Sequence, residues 1–155
     1  PNTPALVGRG ISGLYAREAV SATQRSLVET LLAPTGRTLW VAQESDLDAV
    51  TALSGSGPAY VFFFIEAMTQ AGIDMGLPAA QAQQLAVGTF VGASELARSS
   101  SEPPAVLRER VTSKGGTTFA AITSMQENDI PALIKKALAS ARHRSEELGN
   151  LLDQA

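Results

Sequence analysis

The chain has no cysteine, one histidine, one tryptophan and little charge, with only 17% of its 155 residues ionic. Without cysteine there is no disulfide scaffold, no thiolate zinc site and no thiol nucleophile, an absence that fits a cytoplasmic protein. The lone histidine, His143, lies among charges in "ARHRSEELG" and reads as a surface residue. No Ser-His-Asp arrangement or metal site can be built around it, so none is expected. Basic residues are not in excess: the net charge is -3 and the pI near 5.1. A phosphate-tracking surface needs the opposite balance, so nucleic acid is not the expected partner. The longest apolar run, "AYVFFFI" from Ala59, stops at Glu66. A membrane helix needs roughly 20 such residues, and no membrane partner is expected.

What the chain does have is 45% hydrophobic residues, enough for a globular core. "GISGLYA" (Gly10–Ala16) and "RTLWVA" (Arg37–Ala42) read as strands. Between them Ser21 and Gln24 have capping-box spacing, Leu27, Val28, Leu31 and Leu32 share a helical face, and Pro34 with Gly36 ends the helix. One strand–helix–strand unit cannot bury two sheet faces alone, so it is expected to belong to a larger sheet.

From Ser45 onward the pattern is helical. Ser45 is expected to cap a short helix, "SGSGP" (Ser54–Pro58) to break the chain, and Pro58 to open a long helix to about Met75. That helix is apolar nearly all round and is expected to be buried at the centre, with Glu66 finding a partner there. Pro78 opens another helix to about Arg98, in which Ala86, Gly88, Gly92 and Ala93 allow close backbone approach. "SSSEPP" (Ser99–Pro104) is a loop and "AVLRERV" a short helix. Phe119, Ile122 and Met125 mark the next helical face, and Asp129 is expected to cap the last helix. The fold expected is mainly α behind a short α/β beginning.

The loop between those helices carries the chemistry. In "VTSKGGTTFAAI" (Val111–Ile122), Gly115 and Gly116 let a ligand sit against the main chain. The helix that starts near Thr117 presents N–H groups without internal partners and a favourable dipole. Ser113, Thr117 and Thr118 add hydroxyls, so the loop has the make-up of a carboxylate or phosphate seat. A well-capped turn that binds nothing has the same local pattern. Lys114 and the charges at Arg142, Arg144, Glu146 and Glu147 read as solvated. A hydride transfer, by contrast, asks the protein for orientation and electrostatics rather than a nucleophile.

Three motifs taken together, "DAVTALSGSGPAY", "MGLP" and "VTSKGGTTFAAI", occur here in the order and spacing of pyrroline-5-carboxylate reductase, which this sequence resembles. The opening "PNTPALVGRG" also resembles the end of that family's cofactor-proximal region. The resemblance implies an oxidoreductase of proline biosynthesis: an N-terminal Rossmann domain for NADPH or NADH, then a helical domain that forms a homodimer, with higher assembly left open. Residues 1–44 would be the end of the dinucleotide-binding domain and 45–155 the helical dimerisation and substrate domain. The chain has no strand followed by G-x-G-x-x-G/A, so most of the Rossmann domain is expected to precede Pro1, and the segment alone to be inactive. Which nucleotide is used is not written in these residues.

Residue by residue, the resemblance implies that Val111, Ser113, Gly115, Gly116, Thr117 and Thr118 hold 1-pyrroline-5-carboxylate. Thr118 would face the ring nitrogen as the catalytic hydroxyl. Asn2, Thr3 and Pro4 match a segment near the nicotinamide. A reading of a different class stands beside it: a non-catalytic helical dimerisation module with an anion-binding loop. A reductase of 2-hydroxy acids is less favoured, since the lysine such enzymes present on a helix would have to be Lys135 or Lys136, which read as surface residues.

Overall fold

In the computed structural model, which describes residues 1–153, the chain forms two compact units. One is Pro1–Tyr60 with the chain from Lys135 onward, the other Val61–Ile134.

In the first unit, a 3-10 turn (Thr3–Val7) leads into β1 (Gly10–Leu14), helix α1 (Ala22–Leu32), a second 3-10 turn (Ala33–Thr35) and β2 (Gly36–Trp40). The strands are parallel, with Gly10 opposite Gly36 and Leu14 opposite Trp40. The strand–helix–strand unit is thus present. The Ser21 capping box forms in both directions, Gln24 N–H donating to Ser21 Oγ and Ser21 N–H to Gln24 Oε1. Such a cap is worth about 1 kcal/mol. Of the four apolar residues on α1, Leu27 and Leu31 remain exposed, while Val28 and Leu32 are half-buried. Trp40 joins β2 to α1: its indole N–H donates to Glu29 at 2.5 Å, and the Arg25 guanidinium lies 5.2 Å from the ring centroid.

Helix α2 (Asp46–Val50) packs on β1, where Val50 leaves Gly13 no room for a side chain. Ser45 does not cap it with its side chain, contrary to expectation. Asp46 does the local bonding instead, its carboxylate accepting from Gln43 N–H at 3.1 Å. Nor does "SGSGP" break the chain. Residues Thr51–Gly55 continue α2 as a π-helical turn, closed by Ser56 N–H to the Thr51 carbonyl at 2.9 Å. A wider turn absorbs the extra residue without ending the helical path, and α3 (Gly57–Asp74) follows almost at once. Helix α7 (Ile130–Asp153) docks on α2 through Ser145 Oγ, which donates to Asp48 Oδ1 at 2.7 Å. Asp129 starts α7 with its backbone, its carbonyl accepting from Ala132 and Leu133 while φ is +54°.

In the second unit, most of α3 packs against α4 (Ala79–Ser99) through small residues: Ala82 and Ala86 are buried, and Ala82 closes on Gly72. Helices α5 (Pro104–Arg110) and α6 (Thr117–Glu127) complete it. The Arg110 guanidinium reaches back over α5 to Glu102 at 2.5 Å.

The expectation that α3 is a buried central helix is not met. Phe62 is 59% exposed and Phe63 67%, Val61 and Met68 are open, and Glu66 lies at the surface. Among the described residues the only buried hydrophobics are Ala52, Ala82 and Ala86. An all-round apolar helix needs cover on every side, and one copy of this chain does not supply it.

Candidate functional site

The loop from Val111 to Gly116 begins where α5 ends. Val111, two-thirds exposed, donates its N–H to the Arg108 carbonyl at 3.2 Å, and Thr112 Oγ1 donates to the same carbonyl at 2.6 Å. These bonds fix the way the chain leaves α5. Gly115 then turns at φ +75°, a left-handed conformation that costs an ordinary residue roughly 1–2 kcal/mol. Gly116 is extended, and its constraint is room: a Cβ there would lie 2.8 Å from Ser113 Oγ and 3.2 Å from the Ser113 carbonyl oxygen.

Gly116 is also the residue before α6, and no side chain caps that helix. Gly116 N–H donates to the Ser113 carbonyl at 3.0 Å, and Ala120 N–H to the Gly116 carbonyl at 3.1 Å. The N–H groups of Thr117 and Thr118 precede that first helical bond and belong to the set a helix leaves open. Ser113 and Thr117 are exposed and Thr118 half-buried, so the hydroxyls and the open N–H groups lie within one turn of chain. Lys114 is exposed, as expected of a solvated lysine. Chemically, this turn can receive an oxyanion and set a hydroxyl beside it.

The residues matched to the cofactor region lie in the other unit. Asn2 and Pro4 are half-buried and Thr3 exposed, at the start of the first 3-10 turn. Asn2 Nδ2 donates to the Ser54 carbonyl at 3.2 Å and to Ser54 Oγ at 3.4 Å, while Asn2 Oδ1 accepts from Ile11 N–H at 3.0 Å. Sequence reasoning missed Ser54 as a neighbour of this segment, because no local pattern links residues 52 apart.

The remaining titratable groups do not converge. His143 is 74% exposed on α7, its Nε2 3.3 Å from Glu147. A hydrogen bond from Arg144 holds the Glu147 carboxyl below its ordinary range. Lys135 and Lys136 are exposed. Among the described residues no three His, Cys, Asp or Glu are grouped as metal ligands, and no helix is long and apolar enough to cross a membrane.

The chain as a whole resembles known proteins. The family model for pyrroline-5-carboxylate reductase dimerisation matches residues 44–148. The pyrroline-5-carboxylate reductase of Pseudomonas aeruginosa is 51% identical over 154 residues, which is 99% of this chain and 56% of that protein. Among solved structures, a pyrroline-5-carboxylate reductase from Coxiella burnetii superposes with a TM-score of 0.93 at 39% identity, covering 96% of this chain and 55% of that one. A Plasmodium falciparum pyrroline carboxylate reductase with NADP bound gives 0.85 at 32% identity, covering 96% and 61%. The chain thus spans about half the length of the curated relatives it matches. By the match over 44–148, the architecture and the motifs that bound the Gly115–Gly116 turn, this chain belongs to the pyrroline-5-carboxylate reductase dimerisation family.

Proposed function

We propose that the protein carrying this chain reduces 1-pyrroline-5-carboxylate to L-proline, the hydride coming from NADPH or NADH. The observation that most favours this is the turn at Gly115 and Gly116, which opens α6 with uncapped N–H groups and three hydroxyl residues. The N–H groups of Gly115 and Thr117, with Ser113 Oγ, hold the substrate carboxylate. Gly116 gives that carboxylate room, its own N–H being engaged by Ser113. Val111 packs its exposed side chain on the ring. Thr118 donates to the ring nitrogen as electron density collects there. The bound nucleotide supplies the hydride. The exposed Thr3 beside Asn2 and Pro4 leaves a hydroxyl open to its nicotinamide end, so the segment fits that group.

In this reading residues 1–44 close the dinucleotide-binding domain, residues 45–155 bind substrate and dimerise, and the enzyme works in the cytoplasm. The gene product carrying these residues is expected to oxidise NADPH or NADH only when the pyrroline acid is present, followed by absorbance at the nicotinamide band. No oxidation, with the acid still bound, would replace the reductase by the helical binding module.

The homodimer rests on the uncovered apolar residues of α3 and α4, including Phe62, Phe63 and Val91. A Cβ at Gly88 or Gly92 would meet nothing within 4 Å in one copy, so both positions are open to a second. Gly88→Leu is expected to shift the sedimenting species from dimer to monomer while helix content stays unchanged. A dimer that persists at low micromolar concentration would move the interface off this face.

A further inference from the structure

Asn2 stands where an asparagine ordinarily caps the helix that follows it, yet its side chain makes no such bond. It reaches out of its own segment instead. A side-chain amide offers one acceptor oxygen and two donor hydrogens. Here the oxygen takes Ile11 N–H from β1, and the nitrogen serves the Ser54 carbonyl and hydroxyl. The reverse orientation would set two carbonyl oxygens against each other, so the pattern fixes which end points where. Both partners of the amide nitrogen belong to Ser54.

Its target is unusual. Ser54 lies in the π-helical turn Thr51–Gly55, a wider i→i+5 turn in which two carbonyls take side-chain partners. Two side chains collect them: Asn2 bonds the Ser54 carbonyl, and Tyr60 Oη donates to the Ala52 carbonyl at 3.1 Å. The turn is therefore held by two side chains. Because Ser54 Oγ accepts from Asn2, its own proton is free to be donated, and the residue is only half-buried.

Resting on the reductase reading above, we infer that Asn2 is a positioning residue and that the Ser54 hydroxyl, alongside that of Thr3, hydrogen-bonds the nicotinamide end of the nucleotide. Asn2 sets the π turn, and Ser54 makes the contact. The two act in series.

The test is NADPH affinity by titration calorimetry on the full-length protein, for Ser54→Ala, Asn2→Ala and the double variant, with backbone amide exchange measured alongside. Ser54→Ala is expected to weaken NADPH about fivefold, the scale of one net hydrogen bond. Asn2→Ala should weaken it at least as much, and adding Ser54→Ala to it should cost nothing more, since residues in series are not additive. Even without nucleotide, Asn2→Ala should speed exchange at Ser54 to Gly57 and leave α6 protected. Unchanged affinity in Ser54→Ala overturns the inference, and so do multiplying effects or unchanged exchange in Asn2→Ala. If Asn2→Ala does not fold, Ser54→Ala decides alone. A wild type that binds NADPH but does not reduce the pyrroline acid would fail the reductase reading and leave this inference to its own result.

Discussion

Thr118→Ala is expected to lower kcat about 100-fold, the scale of removing one donor aimed at charge that develops in the transition state. The loss should appear equally in kcat and kcat/KM, because the ring nitrogen gains electron density only as hydride arrives. The fold should survive. Thr118 is half-buried in the first turn of α6, and its hydroxyl has no hydrogen bond among the described residues, so truncation orphans no partner. Thr118→Ser should restore most of the rate by returning the hydroxyl, whereas Thr118→Val, of the same shape, should not. Steady-state kinetics on the full-length gene product give the answer. Rates within twofold of wild type for Thr118→Ala would remove it from the chemistry and leave the Gly115–Gly116 turn as a binding element alone.

Gly36→Ala should have the largest effect on stability. Gly36 opens β2 at φ +138° and ψ -139°, a region open to glycine and almost no other residue. An added Cβ would also fall 2.0 Å from the Gly10 carbonyl oxygen and 2.6 Å from its nitrogen, across the strand pair. Neither atom can move without breaking the register. A cost of about 3 kcal/mol or more follows from the conformation and the clash together. In a chain of this size that lowers Tm by roughly 10 °C. Gly149 provides the control: it is exposed on α7 with nothing near a new Cβ, and alanine there should be neutral or stabilising. Thermal unfolding followed by circular dichroism compares the two. Equal Tm values would mean that β1 and β2 do not pair as closely as described.

What could be read from the residues alone divides by range. The Ser21 capping box, the start of α6 at Thr117 and the make-up of the Gly115–Gly116 turn depend on neighbours within a few positions. Local chemistry writes them plainly. The π turn at Thr51–Gly55 was hidden because Ser-Gly-Ser-Gly-Pro has the composition of a breaker. Only the Asn2 and Tyr60 side chains, which collect its carbonyls, explain why it continues the helix. Helix α3 fails differently. Its periodicity says that every face is apolar, but periodicity does not say what covers a face, and Phe62 and Phe63 stand open. Asn2 stood out only as part of the segment matched to the nicotinamide, and its side chain is a long-range clamp. Its partner, Ser54, is 52 residues away.

The indole of Trp40, held between Arg25 and Glu29, gives the chain a single optical gauge. Its emission reads whether α1 still lies on β2, and nothing about Val61–Ile134, which carries the Gly115–Gly116 turn. Circular dichroism, weighted toward the long helices, reads the chain as a whole. Two spectra taken on one denaturation series therefore ask separate questions of the two units, and the gap between their midpoints measures how independently the strand pair and the helical site come apart.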